Sequence, residues 1–125
     1  MPKILVVDDE PMALKLVQSI LEKRGFEVVV AARGKDALKA LKSQGGSIGL
    51  LITDIVMPEM DGISLAVKAV EYDPELPVLF MSGFVTEDEV DQAARINSYA
   101  FIRKPFRPAT LVQAVRKMLT TEETA

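Results

Sequence analysis

The chain has 125 residues, a net charge of −3, and neither cysteine nor histidine. That length gives one domain with room for a proper core, and the charge argues against a nucleic-acid surface. Without thiols or imidazoles, disulfides, Ser-His or Cys-His nucleophiles and His-ligated zinc are excluded. Chemistry is left to carboxylates, lysines, hydroxyls and the backbone, and any metal should be a hard, oxygen-seeking ion. No apolar run approaches the roughly 20 residues of a membrane span. Met1-Pro2-Lys3-Ile4 leads directly into a strand-like run and leaves no room for a signal peptide, so the expected location is the cytoplasm.

Ile4 to Val7 is a short apolar run of the kind buried on both faces of a sheet, closed by Asp8-Asp9-Glu10. Pro11 suits a helix start, and Ala13, Leu16, Val17, Ile20 and Leu21 recur at helical spacing until Gly25. Phe26 to Ala31 reads as a second strand. A short helix on Ala37, Leu38 and Leu41 then ends near Gly45-Gly46. Ile48 to Thr53 is the third strand and runs into Asp54. Asp61 can cap a third helix carrying Ile63, Leu65, Ala66, Ala69 and Val70, which Asp73-Pro74 ends. Pro77 to Met81 gives a fourth strand, closed by Ser82-Gly83. Thr86 and Glu89 form a capping box for a fourth helix with few large apolar residues, so that helix is thinly anchored. Ser98 to Arg103 is the fifth strand. After Lys104-Pro105 a last helix carries Leu111, Val112, Val115, Met118 and Leu119. The domain is expected to cover residues 1–120, with a polar tail over 121–125 that frays.

Strands alternating with helices imply an α/β fold, a parallel sheet covered on both faces by right-handed crossovers. Ligands then belong at the C-terminal ends of the strands. Those ends carry Asp8 and Asp9, Asp54, Ser82 and Lys104. Any one of them alone suits a turn, a cap or a solvated loop. Together they would converge on one edge, where carboxylates repel and burial penalises them further. Lys104 supplies one compensating charge, and a divalent ion would supply two more; Mg²⁺ fits because it uses few protein carboxylates. Such a site suits phosphoryl transfer onto Asp54, with Lys104 and the metal neutralising the phosphoryl oxygens and Ser82 donating a hydrogen bond.

From Lys3 to about Leu119 the chain resembles the receiver domain of two-component response regulators. The residues that carry the resemblance are VVDDE (Val6 to Glu10), TDIVMPEMDG (Thr53 to Gly62), FMSG (Phe80 to Gly83) and RKPF (Arg103 to Phe106). The resemblance implies a doubly wound, flavodoxin-like (βα)5 fold with strand order 2-1-3-4-5. It implies that Asp54 takes a phosphoryl group from a sensor histidine kinase or a histidine phosphotransfer protein. Mg²⁺ would be held by Asp9, Asp54 and the backbone carbonyl of Val56, with Asp8 acting mostly through water. Lys104, often before a cis proline, would pair with the phosphoryl group. Ser82 and Phe101 match the family's switch pair, and the fourth helix, fifth strand and last helix match its output face. The implied role is a signalling phosphoacceptor rather than an enzyme. Its output would be a protein contact, made as a monomer or a phosphorylation-dependent dimer. Whether it stands alone or belongs to a hybrid kinase or a larger regulator is left open by length.

By the same resemblance Val56 and Phe84, two residues beyond Asp54 and Ser82, match positions that tune attack by water on the acyl phosphate, and both are apolar here. They are expected to exclude water and lengthen its life. Two other classes fit less well. A small-molecule phosphatase lacks its Asp-x-Asp nucleophile motif and a substrate cap, and a phosphorylation-silent module would not need the intact set of Asp8, Asp9, Asp54, Ser82 and Lys104.

Overall fold

A computed structural model describes residues 2–124, with backbone alone at 45 and 120–124. Among the described residues, strands β1 (Lys3–Val7), β2 (Glu27–Ala31), β3 (Ile48–Asp54), β4 (Val78–Ser82) and β5 (Tyr99–Arg103) alternate with helices α1 (Pro11–Lys23), α2 (Gly34–Gln44), α3 (Gly62–Tyr72), α4 (Glu87–Ala93) and α5 (Pro108–Thr124). The strands are all parallel, in the order β2-β1-β3-β4-β5. This is the doubly wound topology that the motifs implied. The frayed tail expected over 121–125 lies outside the described side chains. Among the described residues no helix is long and apolar enough to cross a membrane.

The two-residue period of the strands divides the core cleanly. Leu5, Val7, Leu51, Val78 and Phe80 face Ala37, Leu41, Leu65, Ala66, Ala69 and Ala93 of α2, α3 and α4. Ile4, Val6, Leu50, Ile52, Leu79 and Met81 face Val17, Leu21, Leu111, Val115 and Met118 of α1 and α5. Burial of the central strands on both faces is why their sequences read as unbroken apolar runs.

Two expectations need correcting. Leu16 does not enter the core: it is 57% exposed, beside Met12 at 84%. The sheet takes a narrow stripe of α1 through Val17 and Leu21, and Leu16 lies on the flank of that stripe. Phe26 does not open β2. Its N–H donates to the Leu21 carbonyl at 3.1 Å and that of Gly25 to Glu22 at 3.0 Å, with Gly25 at φ 89. This is a Schellman cap, and buried Phe26 packs in the same cluster as Leu21. The capping predictions hold: Ser64 N–H donates to Asp61 at 2.8 Å, and Thr86 and Glu89 form a reciprocal box. Helix α4 has seven residues and buries only Ala93 among them, which is the thin anchoring its sequence predicts.

Leu51 is fully buried on β3 and Leu16 is not. Leu51→Ala should therefore cost about 2–5 kcal/mol in urea unfolding, while Leu16→Ala should stay within about 0.5 kcal/mol. Equal losses would contradict this division of the core.

Candidate functional site

The order β2-β1-β3 makes the gap between β1 and β3 the point where successive crossovers part to opposite faces. Open α/β sheets leave a crevice there, at the carboxyl ends of the strands. Asp8 follows β1 directly, Asp54 is the last residue of β3, Ser82 the last of β4, and Lys104 follows β5. Asp9 comes next after Asp8, so the five residues expected to share an edge do so.

Asp8 is 1% exposed and uses both oxygens: Oδ1 accepts from the Glu10 N–H at 3.0 Å, and Oδ2 from Lys104 Nζ at 3.1 Å. The same ammonium lies 3.4 Å from Oδ2 of half-buried Asp54. Asp9 is exposed at the mouth, and one carboxylate oxygen each from Asp8, Asp9 and Asp54 lie within 4.8 Å of one another. Three carboxylates against one ammonium leave two negative charges. An all-oxygen donor set with that excess fits a divalent, hard cation such as Mg²⁺.

Burial pushes the Asp54 carboxyl above its ordinary range; Lys104 pulls it back and the charge of Asp8 pushes it further up, so the net direction is upward. For Lys104, burial works toward a lower value, but its hydrogen bond to Asp8 and the charges of Asp8 and Asp54 outweigh burial and hold it above 10.5. The pocket thus grips its ammonium and resists its own central carboxylate.

The remaining expected residues border the same cleft. Val56, Ser82, Gly83 and Phe84 line a cavity of about 520 Å³ together with Asp54 and Lys104. The Val56 and Phe84 side chains are 74% and 76% exposed at its rim. The Ser82 hydroxyl is turned to its own loop, donating to the Phe84 carbonyl at 2.5 Å and accepting from the Phe84 N–H at 3.1 Å. Lys104 N–H donates to the Ser82 carbonyl at 2.8 Å, and the Lys104-Pro105 peptide is cis. Phe101 is half-buried, stacked on Phe80 at 5.2 Å and meeting Tyr99 edge-on at 5.9 Å.

Residues 4–116 match the sequence profile of the response regulator receiver domain. The chain belongs to that family. It is 37% identical over 119 residues to the response regulator receiver protein CpdR of Brucella abortus, covering 95% of this chain and 98% of CpdR. It is 36% identical over 116 residues to the C4-dicarboxylate transport transcriptional regulatory protein DctD of Rhizobium meliloti, across 93% of this chain but only 25% of DctD. Among solved structures, the receiver domain of the hybrid histidine kinase CckA superposes with a TM-score of 0.81 at 35% identity, over 94% of this chain and 98% of that one. A receiver domain protein from Clostridium thermocellum gives 0.90 at 27% identity, over 99% and 98%.

Two receiver residues that sequence reasoning passed over hold the backbone of Asp54. Gly62 marks a turn in the sequence, but in the fold a Cβ there would lie 1.9 Å from the Asp54 carbonyl oxygen. Its N–H donates to the Ile55 carbonyl at 2.8 Å, so the start of α3 is pressed against the end of β3. Buried Thr53 donates its hydroxyl to that same Asp54 carbonyl at 2.8 Å. The Asp61-Gly62 pair and a hydroxyl just before a strand-end acid were the available signals.

The upward shift of Asp54 sets a pH dependence. The native carboxyl holds its proton more tightly than the unfolded one, whose ordinary value is 3.8. Native stability therefore falls as pH rises from about 3.8 through the native value, and the penalty is constant above it. In metal-free buffer Asp54→Asn should be the more stable form at neutral pH, with the gap closing in acid and narrowing when Mg²⁺ is added. A wild type more stable than the variant at neutral pH in chelator would contradict this.

Proposed function

We propose that this receiver is a Mg²⁺-dependent phosphoacceptor in which Asp54 carries the phosphoryl group and the face formed by α4, β5 and α5 transmits the signal. The observation that carries the proposal is the single ammonium of Lys104, set 3.1 Å from Asp8 and 3.4 Å from Asp54 within the acidic edge. A carboxylate oxygen of Asp54 attacks phosphorus, the bond from phosphorus to the donor breaks, and an acyl phosphate remains on Asp54. The chain has no histidine, so the donor is another molecule: a phosphohistidine of a sensor kinase or phosphotransfer protein, or a small acyl phosphate. Bound Mg²⁺, held by Asp9, Asp54 and the Val56 carbonyl with Asp8 behind them, would neutralise charge on the phosphoryl oxygens. Lys104 exchanges its contact with Asp54 for one with the phosphoryl group.

A protein donor needs somewhere to rest. Leu16, Pro105 and Phe106 line a cavity of about 320 Å³ together with Asp8 and Lys104, and exposed Met12 lines a neighbouring recess with the same Leu16 along α1. This apolar rim reaches the acceptor through Asp8 and Lys104, the latter 3.4 Å from Asp54, which supports docking of the donor there.

Signal output begins at Ser82. A phosphoryl group on Asp54 offers its hydroxyl a charged acceptor, stronger than the Phe84 carbonyl it now uses. A recess of about 360 Å³ already lies between Ser82, Phe84, Val85 and Phe101, and release of that loop contact lets the Phe101 ring turn into it. Having no hydroxyl, that ring is held by packing alone. Helix α4, anchored in itself by Ala93, is the element least able to resist.

Incubated with Mg²⁺ and acetyl phosphate, the chain should gain the mass of one phosphoryl group, and Asp54→Asn should gain none. An unmodified wild type, or a variant labelled equally, would overturn the assignment. The decay of the label tests the apolar rim: Val56→Asn, which can hold a water, should lose its phosphoryl group faster than wild type. A faster wild type would show that Val56 does not exclude water.

A further inference from the structure

We propose that the groove between α2 and the loop from β3 to α3 docks an acidic segment of a partner protein bearing one apolar anchor side chain. The groove encloses about 500 Å³ and is lined by Arg33, Lys35, Lys39 and Lys42. It meets a single acid, Glu59, giving a local charge of three positive in a chain whose net charge is −3. A positive recess in a negative protein focuses its field on anions. Asp36, the one acid of α2, does not line it.

The geometry favours a peptide. Lys35, Lys39 and Lys42 stand four and three residues apart, so they share one helix face. The row they form runs about 10 Å along the axis, the length of two helical turns. Such a row matches spaced carboxylates on a chain better than one compact polyphosphate. Among the described residues no aromatic ring lines the groove to stack a base. Its floor is instead aliphatic and thioether: Leu38, Pro58 and Met60, with the Met60 sulfur seated against Gly34, where a Cβ would lie 2.8 Å from it. That floor suits one leucine-sized side chain.

The cations are ready for exchange. Arg33 meets Glu59 at 3.8 Å with both side chains more than two-thirds exposed, so an incoming carboxylate can replace Glu59 at little cost. Lys35 and Lys39 make no ion pair among the described residues. Lys42 lies over the Tyr72 ring at 5.3 Å, which fixes the far end of the row. The acids Glu87, Asp88, Glu89 and Asp91 of α4 would make a second copy a rival occupant. Pairing α2 of one copy with α4 of the next is a heterologous contact, however, and it propagates into open chains unless the rotation closes.

The test is an amide NMR titration of the intact chain at about 0.15 M salt, where loose surface attraction is screened. The probe is the synthetic peptide Glu-Glu-Asp-Leu-Glu-Asp-Glu, run beside its leucine-to-serine analogue and beside ATP. Saturable shifts at Gly34, Lys39, Lys42, Glu59 and Met60 are expected. Lys35→Glu combined with Lys39→Glu should raise the Kd about tenfold or more, and the serine analogue should bind severalfold more weakly. Both lysines are exposed, and an unchanged melting curve for the double variant confirms its fold. Absent or unsaturable shifts, shifts centred on Asp8 and Lys104, or an unchanged Kd in the variant would overturn the proposal. ATP shifting these residues while the peptide does not would replace it with a nucleotide site. Shifts that grow with the concentration of the chain alone would replace it with self-association.

Discussion

Everything distinctive about this molecule follows from placing three carboxylates around one ammonium at the edge of a parallel sheet. The sheet is compelled by its strands, whose apolar faces need helices on both sides, and that coverage delivers the ends of β1, β3, β4 and β5 to one crevice. Lys104 reaches both Asp8 and Asp54, and its charge is held so firmly that its proton affinity rises. Asp54 is not satisfied to the same degree: burial raises its carboxyl despite that lysine. An edge left with two surplus negative charges is stable enough to fold and unstable enough to welcome a cation.

Rigidity and looseness are distributed around that edge in a useful way. The backbone of Asp54 is pinned from two sides, by the Thr53 hydroxyl on its carbonyl and by the Cα of Gly62 pressed against it. Next to this fixed point the Ser82 hydroxyl is committed only to its own loop, and α4 to a single buried alanine within its length. In the proposed switch, a charge change at this fixed residue would act on its least anchored neighbours. The stacked pair Phe80–Phe101, which also sits opposite in the β4–β5 register, ties this region to the core.

Much of this was legible in the sequence. Unbroken apolar runs ending in Asp8, Asp54 and Ser82 announced buried parallel strands with chemistry at their ends, and the Asp61 and Thr86–Glu89 caps marked helix starts that the fold confirms. What escaped detection depends on which side of an element meets its neighbour. Leu16 fits helical spacing but falls outside the narrow stripe that the sheet accepts. Phe26 is apolar before an apolar strand, yet its N–H belongs to the cap of α1. Gly62 looks like any turn glycine until the Asp54 carbonyl is found against it. The basic groove is likewise invisible in a linear reading, because Glu59 and Met60 are brought to α2 only by the fold.

The most direct test is a crystal structure of the chain with Mg²⁺ and beryllofluoride, a mimic of the phosphoryl group. The ion should sit among Asp9, Asp54 and the Val56 carbonyl. Beryllium should be bonded to an Asp54 oxygen, Lys104 should contact a fluorine, and the Ser82 hydroxyl should be turned away from Phe84 toward the mimic. Beryllofluoride elsewhere, or bound at Asp54 with Ser82 still on the Phe84 carbonyl and Lys104 still on Asp54, would contradict the account.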